Sequence, residues 1–261
     1  MDMSLESDAN AAKNGVKAIA KTPKVVVLMP ALNEALNIPT VISDLWRYNA
    51  HLLDEIVVID NASTDDTAIV ARQAGATVLY EPQCGYGKAC LTGINYLKQK
   101  APAQQPHIVA FMDADGSDYP EELPLILQAL FEQTHDFVVG SRTLIKQQRN
   151  TMTLPQQIGN ALASYLLKTW YKMPVSDLGP FRAIRWDTLL QLNMCDTDFG
   201  WTVEMQAKAA LLRLRYREVA VQYRQRRAGK SKISGTVRGT VLAAYKILKT
   251  LVKLRFLGTT D

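Results

Sequence analysis

Ile108-Val-Ala-Phe-Met-Asp-Ala-Asp-Gly116 is an apolar run that leads directly into two carboxylates placed two residues apart. A run of this composition is typical of a strand buried on both faces in a parallel sheet. Open α/β sheets bind ligands at the carboxyl ends of their strands, so Asp113 and Asp115 are expected there. Crowded carboxylates repel each other unless a cation lies between them, and their hard oxygens suit Mg²⁺ or Mn²⁺. A capped turn is the alternative interpretation, because Asp and Gly are common in turns.

Strand and helix patterns alternate around this segment. Such alternation predicts a doubly wound, mostly parallel α/β sheet flanked by helices. Beyond residue 142 the alternation is less regular, and we expect that part to extend the same sheet. The predicted strands are Val25–Met29, Glu55–Asp60, Thr77–Tyr80, Ile108–Met112, Phe137–Gly140, Phe181–Ile184 and Val219–Tyr223. The predicted helices are Ile38–Tyr48, Asp66–Ala74, Lys88–Gln99, Glu121–Gln133, 155–171, Thr202–Leu212 and Val237–Leu257.

The composition is that of an ordinary folded protein. The 261 residues are 48% hydrophobic and 21% charged, which allows one large α/β domain or two small ones. Cys84, Cys90 and Cys195 lack zinc-site spacing, and their odd number disfavours a disulfide framework. No segment has the roughly 18 consecutive apolar residues of a spanning helix. Residues 1–22 lack an apolar core and predict a flexible tail rather than a signal peptide.

The net charge of +5 conceals an asymmetry along the chain. Residues 205–261 contain 14 Lys or Arg and two acidic residues, whereas residues 1–204 contain 16 basic and 23 acidic residues. A basic block of this kind indicates an anionic partner, which is a nucleic acid, a membrane surface or a phosphorylated substrate. Nucleic acid is the least expected of these partners, because the block has few interleaved aromatic residues and no recognised binding motif.

Polar motifs also follow the other predicted strands. Asn33 and Glu34 come after the first strand, and Asp60 ends the second, where an acidic residue can accept hydrogen bonds from a ribose or a base. Gly85-Tyr-Gly-Lys88 follows the third strand, where glycines allow phosphates to approach a helix N-terminus. Arg142 follows the fifth strand and is placed to clamp a phosphate at the same edge. Each motif alone also fits a helix cap or an ordinary surface residue.

The combination of motifs resembles one family. In inverting glycosyltransferases of family 2, which have the Rossmann-like, nucleotide-sugar-binding GT-A fold, the same motifs occur in the same order: Pro30-Ala-Leu-Asn-Glu34, Asp60-Asn-Ala-Ser-Thr-Asp65, Gly85-Tyr-Gly-Lys88, Asp113-Ala-Asp115 and Gly140-Ser-Arg142. The polyprenyl-phosphate branch, typified by dolichyl-phosphate mannosyltransferase, is similar to this chain at Phe199-Gly-Trp201, Glu204-Met205 and Arg226-x-x-Gly229-x-Ser231-Lys232. The resemblance covers roughly residues 24–235.

The resemblance implies an enzyme that transfers a sugar from a UDP- or GDP-sugar to a polyprenyl-phosphate lipid, with Mg²⁺ or Mn²⁺ as cofactor. It also implies roles for residues of this chain. The nucleotide sugar would be held by Pro30, Asn33, Glu34, Asp60, Asn61, Lys88, Asp113 and Arg142. The metal ligands would be Asp113, Asp115 and Ser117, and the catalytic residues Asp115 and Glu204. The acceptor phosphate would be contacted by Arg182, Arg226, Ser231 and Lys232.

Three features depart from the pattern of the family. Asn61 stands where the second Asp is usual, and Ala62 stands where Gly is usual. The segment from Asp177 to Arg182 is shorter than the usual form and has Pro180 where Ser or Asn is common. The donor base and the acceptor are therefore left open.

The C-terminal segment Val237–Leu257 predicts an amphipathic helix. Its apolar residues recur at helical spacing and its lysines line another face, which is typical of a helix on an anionic membrane surface. The alternative is a helix docked on the protein or on a second subunit. We therefore expect a tail (1–22), a catalytic domain (23–235) and a basic helix (236–261), with the protein in the cytoplasm at the inner face of a membrane. A homo-oligomer is left open. The apolar residues of the predicted C-terminal helix are Val241, Ala244, Tyr245, Leu248, Leu251 and Val252, and its lysines are Lys246, Lys249 and Lys253.

Other functions are compatible with the same residues. A phosphate acceptor is already an adequate nucleophile, whereas a hydroxyl acceptor would need a general base, for which Glu204 is the candidate. Glu204 would alternatively orient an arginine or cap local structure. A nucleotidyltransferase also needs paired carboxylates and a metal ion, and it would release pyrophosphate instead of a nucleoside diphosphate. A non-enzymatic nucleic-acid binder is the most distant alternative.

Overall fold

Seven strands form one mixed sheet in the computed structural model, which describes residues 23–145, 152–226 and 237–256. The order across the sheet, given by position in the chain, is third, second, first, fourth, sixth, fifth and seventh. The sixth strand is antiparallel to both of its neighbours, and the other six run in one direction. The strands are β1 (Val25–Ala31), β2 (Leu53–Asp60), β3 (Thr77–Tyr80), β4 (Ile108–Phe111), β5 (Phe137–Ser141), β6 (Arg182–Arg185) and β7 (Tyr216–Ala220).

Helices cover both faces of this sheet. Successive strand residues point to opposite faces, so Val25 and Val27 enter one core and Val26 and Leu28 the other. The first core contains residues of α1, α2 and α4, and the second contains residues of α3, α5, α6, α7 and α8. The helices are α1 (Ile38–Asn49), α2 (Thr67–Gln73), α3 (Tyr86–Gln99), α4 (Leu123–Phe131), α5 (Leu154–Trp170), α6 (Trp186–Gln191), α7 (Trp201–Leu211) and α8 (Val237–Phe256).

The predicted mixed α/β architecture is confirmed, with two local corrections. The last strand begins at Tyr216, three residues before its predicted start at Val219, because Tyr216 packs its ring against Phe137 on the neighbouring strand. The short helix α6 was not predicted. Residues 1–22 and 227–236 lie outside the described residues, so the division into three segments stays a prediction.

The parallel direction of six strands gathers their carboxyl ends at one edge, which we call the carboxyl edge. The segment after β7 crosses this edge, where Tyr223 forms an isolated antiparallel bridge with Asp118. In addition, the backbone N–H of Arg224 donates to the Ser117 carbonyl at 3.0 Å. The loop after β4 is thus covered by the chain that leaves β7. None of the helices in the described ranges has both the length and the apolar character needed to cross a bilayer.

Candidate functional site

Three carboxyl groups lie together in the loop that follows β4. Asp115 Oδ1 accepts the backbone N–H of Ser117 at 2.9 Å, which shapes the turn around Gly116. Asp118 Oδ2 lies 3.4 Å from the backbone nitrogen of Asp113. The Tyr86 hydroxyl donates to Asp113 Oδ1 at 3.3 Å and so connects this loop to the start of α3. Asp113, Asp115 and Ser117 were predicted from the sequence as metal ligands, whereas Asp118, only three residues beyond Asp115, was not.

Burial and mutual repulsion dominate the electrostatics of these carboxyl groups. Loss of solvent, followed by the negative charge of Asp115, raises the pKa of Asp113 to about 7. Burial and then the charges of Asp113 and Asp115 raise the pKa of Asp118 well above its ordinary value. The guanidinium of Arg142 acts in the opposite direction on both groups. The loop therefore concentrates more negative charge than its surroundings neutralise.

This donor set suits a hard divalent cation. Mg²⁺ is usually held by one or two carboxylates together with substrate phosphates. In the described part of the chain, no three His, Cys, Asp or Glu side chains are arranged to hold a metal ion by themselves. Asp113 and Asp115 therefore fit a metal ion that completes its coordination with oxygens of a bound diphosphate.

Arg226 reaches this loop from the segment after β7. Its Nη2 donates to Asp115 Oδ2 at 2.8 Å, and its Nη1 lies 3.5 Å from Glu34 Oε1. Arg224 supports this position by donating to the Gly116 carbonyl at 2.6 Å. The predicted phosphate ligand Arg226 thus contacts a predicted metal ligand in this structure.

The loops after β1 and β2 are joined by hydrogen bonds. Asn33 Oδ1 accepts the backbone N–H of Thr64 at 2.7 Å, and the Asn33 backbone donates to Ser63 Oγ at 2.9 Å. Glu34 is buried, and its backbone donates to Thr67 Oγ1 at 2.8 Å. Ser63 in turn donates its backbone N–H to Oδ1 of Asp60, the last residue of β2, at 3.2 Å, so the loops that carry Asn33 and Asp60 are in contact.

Asn61 and Gly85 make close contacts with the backbone of neighbouring loops. Asn61 Nδ2 donates to the carbonyls of Glu81 and Gln83, and its Oδ1 accepts the Gly85 N–H at 2.8 Å. An aspartate could not make the two donor contacts. A Cβ on Gly85 would collide with the Thr197 carbonyl, whose oxygen also accepts the backbone N–H of Lys88 at 3.0 Å. Gly85 and Gly87 therefore allow the 196–197 backbone to approach the start of α3, and their role towards phosphates stays a prediction.

Arg142 lies at the end of β5 but is held by a carboxylate that was not assigned a role from sequence. Its Nε and Nη2 donate to Asp177 at 2.9 and 2.7 Å, and its backbone N–H donates to the same side chain at 2.7 Å. The Arg142 guanidinium also lies 5.0 Å from the centre of the Tyr223 ring. Because both groups of the ion pair are buried, Asp177 fixes the orientation of Arg142 beside the carboxylate loop.

The other predicted acceptor residues divide into two groups. Arg182 is buried, and its guanidinium donates to the carbonyls of Leu178, Gly179 and Thr202. This geometry favours a structural role, because its donors are used inside the protein. Ser231 and Lys232 lie outside the described residues, so their assignment stays a prediction.

Glu204 is held within a local network. Its carboxylate accepts the backbone N–H groups of Cys195 and Asp196 and forms an ion pair with Lys208 at 2.8 Å. It lines a cavity of about 270 Å³ that α8 also lines and that neither Asp113 nor Asp115 borders. The structure thus supports the alternative in which Glu204 organises local structure rather than acting as a base.

The C-terminal helix α8 is docked on its own chain by one face. Lys246 forms an ion pair with Asp198, and the Thr250 hydroxyl donates to Asp196 Oδ2 at 2.9 Å. Leu251 is buried although it was assigned to the membrane-facing stripe, because α8 packs on α5 and α7. The predicted apolar stripe is therefore divided between an inner and an outer face, with Tyr245 and Val252 exposed.

Several known proteins are similar in sequence to this chain over most of its length. The sequence profile described as Glycosyl transferase family 2 matches residues 26–197. A glycosyltransferase of Mycobacterium tuberculosis is 36% identical over 228 residues, which are 87% of this chain and 97% of the relative. Undecaprenyl-phosphate mannosyltransferase of Micrococcus luteus is 27% identical over 226 residues, which are 83% of this chain and 90% of the relative.

The fold of this chain is similar to that of a solved structure. Glucosyl-3-phosphoglycerate synthase from Mycobacterium tuberculosis, crystallised with Mn²⁺, uridine diphosphate and phosphoglyceric acid, superposes with a TM-score of 0.69 at 22% sequence identity. The match covers 92% of this chain and 80% of that chain.

Proposed function

The chain belongs to glycosyl transferase family 2, and from this premise we propose that it transfers a hexose from a UDP- or GDP-sugar to a polyprenyl-phosphate lipid, with inversion at the anomeric carbon. Binding of the nucleotide-sugar donor is supported by the close grouping of three carboxyl groups, those of Asp113, Asp115 and the buried Asp118. Burial and neighbouring negative charge raise the pKa values of Asp113 and Asp118, so a cation bound in this loop would relieve the repulsion and could in turn hold a diphosphate.

Residues at the carboxyl edge would bind different parts of the nucleotide-sugar donor. Asp60 is placed to accept hydrogen bonds from the ribose, while Asn33 and Glu34 border the same loop. When bound at Asp113 and Asp115, Mg²⁺ or Mn²⁺ would supply positive charge to the departing nucleoside diphosphate. Arg142, held by Asp177, would add fixed positive charge on the same side.

The ion pair of Glu204 supports a phosphate as the acceptor. Both Glu204 oxygens accept hydrogen bonds from the 195–196 backbone, and Lys208 neutralises the carboxylate. A hydroxyl acceptor would need a base, whereas a phosphate acceptor attacks through its own anionic oxygen. The undecaprenyl-phosphate mannosyltransferase of Micrococcus luteus supports the same choice.

The proposal is tested by a transfer assay with labelled UDP- and GDP-sugars and polyprenyl phosphate in detergent, with Mn²⁺ present. We expect a labelled lipid and release of a nucleoside diphosphate. Asp113→Asn is expected to lower the rate at least about 100-fold, because it removes a charged ligand from the metal. Asp187→Asn, at an exposed residue of α6, is the matched control. Release of pyrophosphate in a parallel incubation with UTP or GTP and a hexose 1-phosphate would indicate a nucleotidyltransferase, and transfer only to soluble hydroxyl acceptors would refute the lipid acceptor.

A further inference from the structure

The helix α5 exposes an apolar stripe along most of its length. Leu154, Ile158, Leu162 and Tyr165 are 67%, 62%, 43% and 63% exposed. Their spacing of four, four and three residues places them on one side of the helix. The opposite side is buried, and Ala163 and Leu167 lie in the core beneath the sheet. A stripe of large apolar side chains rimmed by polar residues is typical of a surface that contacts another apolar phase.

The outer face of α8 carries a second apolar surface, and α8 packs against α5. Tyr245, Leu248 and Val252 line a shallow groove of about 430 Å³, together with two lysines. The two helices are in direct contact, because the Tyr171 hydroxyl at the end of α5 donates to the Leu251 carbonyl at 2.7 Å. At the same junction the rings of Trp170 and Phe256 meet edge to face with centroids 6.1 Å apart. Phe256 nevertheless remains 72% exposed.

The charge of the two helices identifies the partner. Neither Leu154–Trp170 nor Val237–Phe256 contains an Asp or a Glu. The exposed charged residues among the described side chains of these helices are Lys168, Lys249, Lys253 and Arg255. Pairing this face with the same face of a second copy would bring like charges together, whereas anionic lipid headgroups would neutralise them.

The helix α5 lies beside the segment that orients Arg142 at the carboxyl edge. Asn160, on the inner side of α5, accepts the Leu178 N–H at 2.8 Å and donates to the Ser176 carbonyl at 3.3 Å. Ser176 and Leu178 flank Asp177, the carboxylate that orients Arg142. A lipid surface resting on α5 would therefore lie close to the groups proposed to act on a lipid phosphate.

We propose that the exposed faces of α5 and α8 together form a docking surface for a bilayer that contains anionic lipids. Apolar side chains of α5 enter the acyl boundary, and the lysines of α8 contact the headgroups. The proposal rests on the proposed lipid acceptor, and it adds α5 to the C-terminal helix as a membrane-contacting element.

The test is co-sedimentation of the full-length protein with vesicles of phosphatidylcholine alone and of phosphatidylcholine with 30% phosphatidylglycerol, a composition chosen to give about one anionic lipid in three. Binding is expected only with the anionic vesicles and is expected to weaken in high salt. Ile158→Glu/Leu162→Glu should weaken binding at least about tenfold, because it places carboxylates against the bilayer. Leu125→Glu, on an exposed position of α4 on the opposite side of the sheet, should bind as the wild type does.

One folding control is needed, and three outcomes are then distinguished. Circular dichroism and a melting curve establish that the double variant is folded, and the exposed single variant Tyr165→Glu is measured if it is not. Equal vesicle binding by the α5 variants and the wild type overturns the proposal, even if lipid glycosylation in detergent is intact. A wild-type dimer that the α5 variants convert to monomer, without vesicle binding, overturns it in favour of a contact between copies. Vesicle binding through α5 without sugar transfer to any polyprenyl phosphate refutes the proposed function alone.

Discussion

Ala62 has an unusual backbone conformation for an alanine. Its φ is 59°, in the left-handed region, immediately after the structural Asn61. An L-residue with a Cβ is strained there by roughly 1–2 kcal/mol, and glycine is not. Gly is the residue usual at this position in the family that the motifs resemble, so the substitution by Ala preserves the turn at a cost in stability.

Ala62→Gly is expected to stabilise the protein. Relief of the strain exceeds the roughly 0.5–1 kcal/mol of chain entropy that glycine loses on folding, which leaves a gain of about 0.5–1 kcal/mol. A rise of about 2 °C in melting temperature would follow for a chain of this size. Ala50→Gly, where φ is −53°, is the control and should lower stability. A lower melting temperature for Ala62→Gly would contradict this account.

Arg226 occupies part of the site at which the metal ion is expected. Its guanidinium contacts Asp115 and Glu34, both at the carboxyl edge. A divalent ion that binds Asp115 must therefore compete with an arginine for the same oxygen.

Removing the Arg226 side chain should change the affinity of the protein for a metal ion. Arg226→Ala is expected to raise the affinity for Mn²⁺ in the absence of a donor about 3–10-fold, since a partly exposed ion pair contributes on the order of 1 kcal/mol. Isothermal titration calorimetry measures this affinity directly. Arg217→Ala removes the same charge from an exposed position of β7 and should leave it unchanged. An unchanged or weaker affinity for Arg226→Ala would show that Arg226 does not compete.

At the scale of elements, the start of α3 depends on a close contact with the segment before α7. A Cβ on Gly87 would overlap the backbone carbonyl of Asp196. The same segment is held to α8 by the ion pair of Lys246 with Asp198. The position of α3, and with it the Tyr86 hydroxyl near Asp113, is thus coupled to the packing of the C-terminal helix.

Gly87→Ala is expected to destabilise the protein by about 1–3 kcal/mol, because a methyl group must displace backbone. Gly159→Ala is the matched control, since a Cβ there meets no atom within 4 Å and alanine is the better helix former. It should gain about 0.5–1 kcal/mol. Urea unfolding measures both changes. A Gly87→Ala protein of normal stability that binds the nucleotide poorly would instead support a phosphate-binding role for this glycine.

At the scale of the whole molecule, one sheet joins the two cores, and its edge strand β7 is secured by an ion pair. Arg215 donates to Asp136 through Nε at 2.9 Å and through Nη2 at 2.5 Å, next to the start of the β5–β7 pairing. Hydrogen bonds from Arg215 lower the pKa of Asp136 below its ordinary value of 3.8, although partial burial acts in the opposite direction.

Because of this ion pair, the free energy of unfolding should depend on pH in the acidic range. A carboxyl whose folded pKa is lowered stabilises the protein above its unfolded pKa and ceases to do so as pH falls through the folded value. Asp136→Asn should therefore be less stable than wild type at pH 7, and the difference should diminish as the pH falls below 3.8, the ordinary pKa of an aspartate. Chemical denaturation between pH 2.5 and 7 tests this. Asp187→Asn, at a largely exposed carboxylate, should have nearly the same free energy of unfolding as the wild type at both ends of this pH range.

Local sequence patterns determined the elements of this protein and the edge at which its chemistry is placed. Buried strands were recognisable because Val and Ile runs end at polar turns, and Asp113 and Asp115 were found because they follow such a run. The same logic located Asp60 and Arg142, since parallel strands bring their carboxyl ends together. The family resemblance rested on these strand ends and was confirmed.

Tertiary structure alone decided which of these polar groups remain available to a ligand. Arg142 with Asp177, Arg226 with Asp115, and the Asn61 contacts join residues 20 or more positions apart, and no local pattern specifies such pairs. Likewise, α8 is amphipathic in sequence, but only its packing on α5 and α7 determined that Leu251 faces inward while Tyr245 faces outward. Periodicity records which side chains are apolar, whereas the neighbour that buries them is set by the folded chain as a whole.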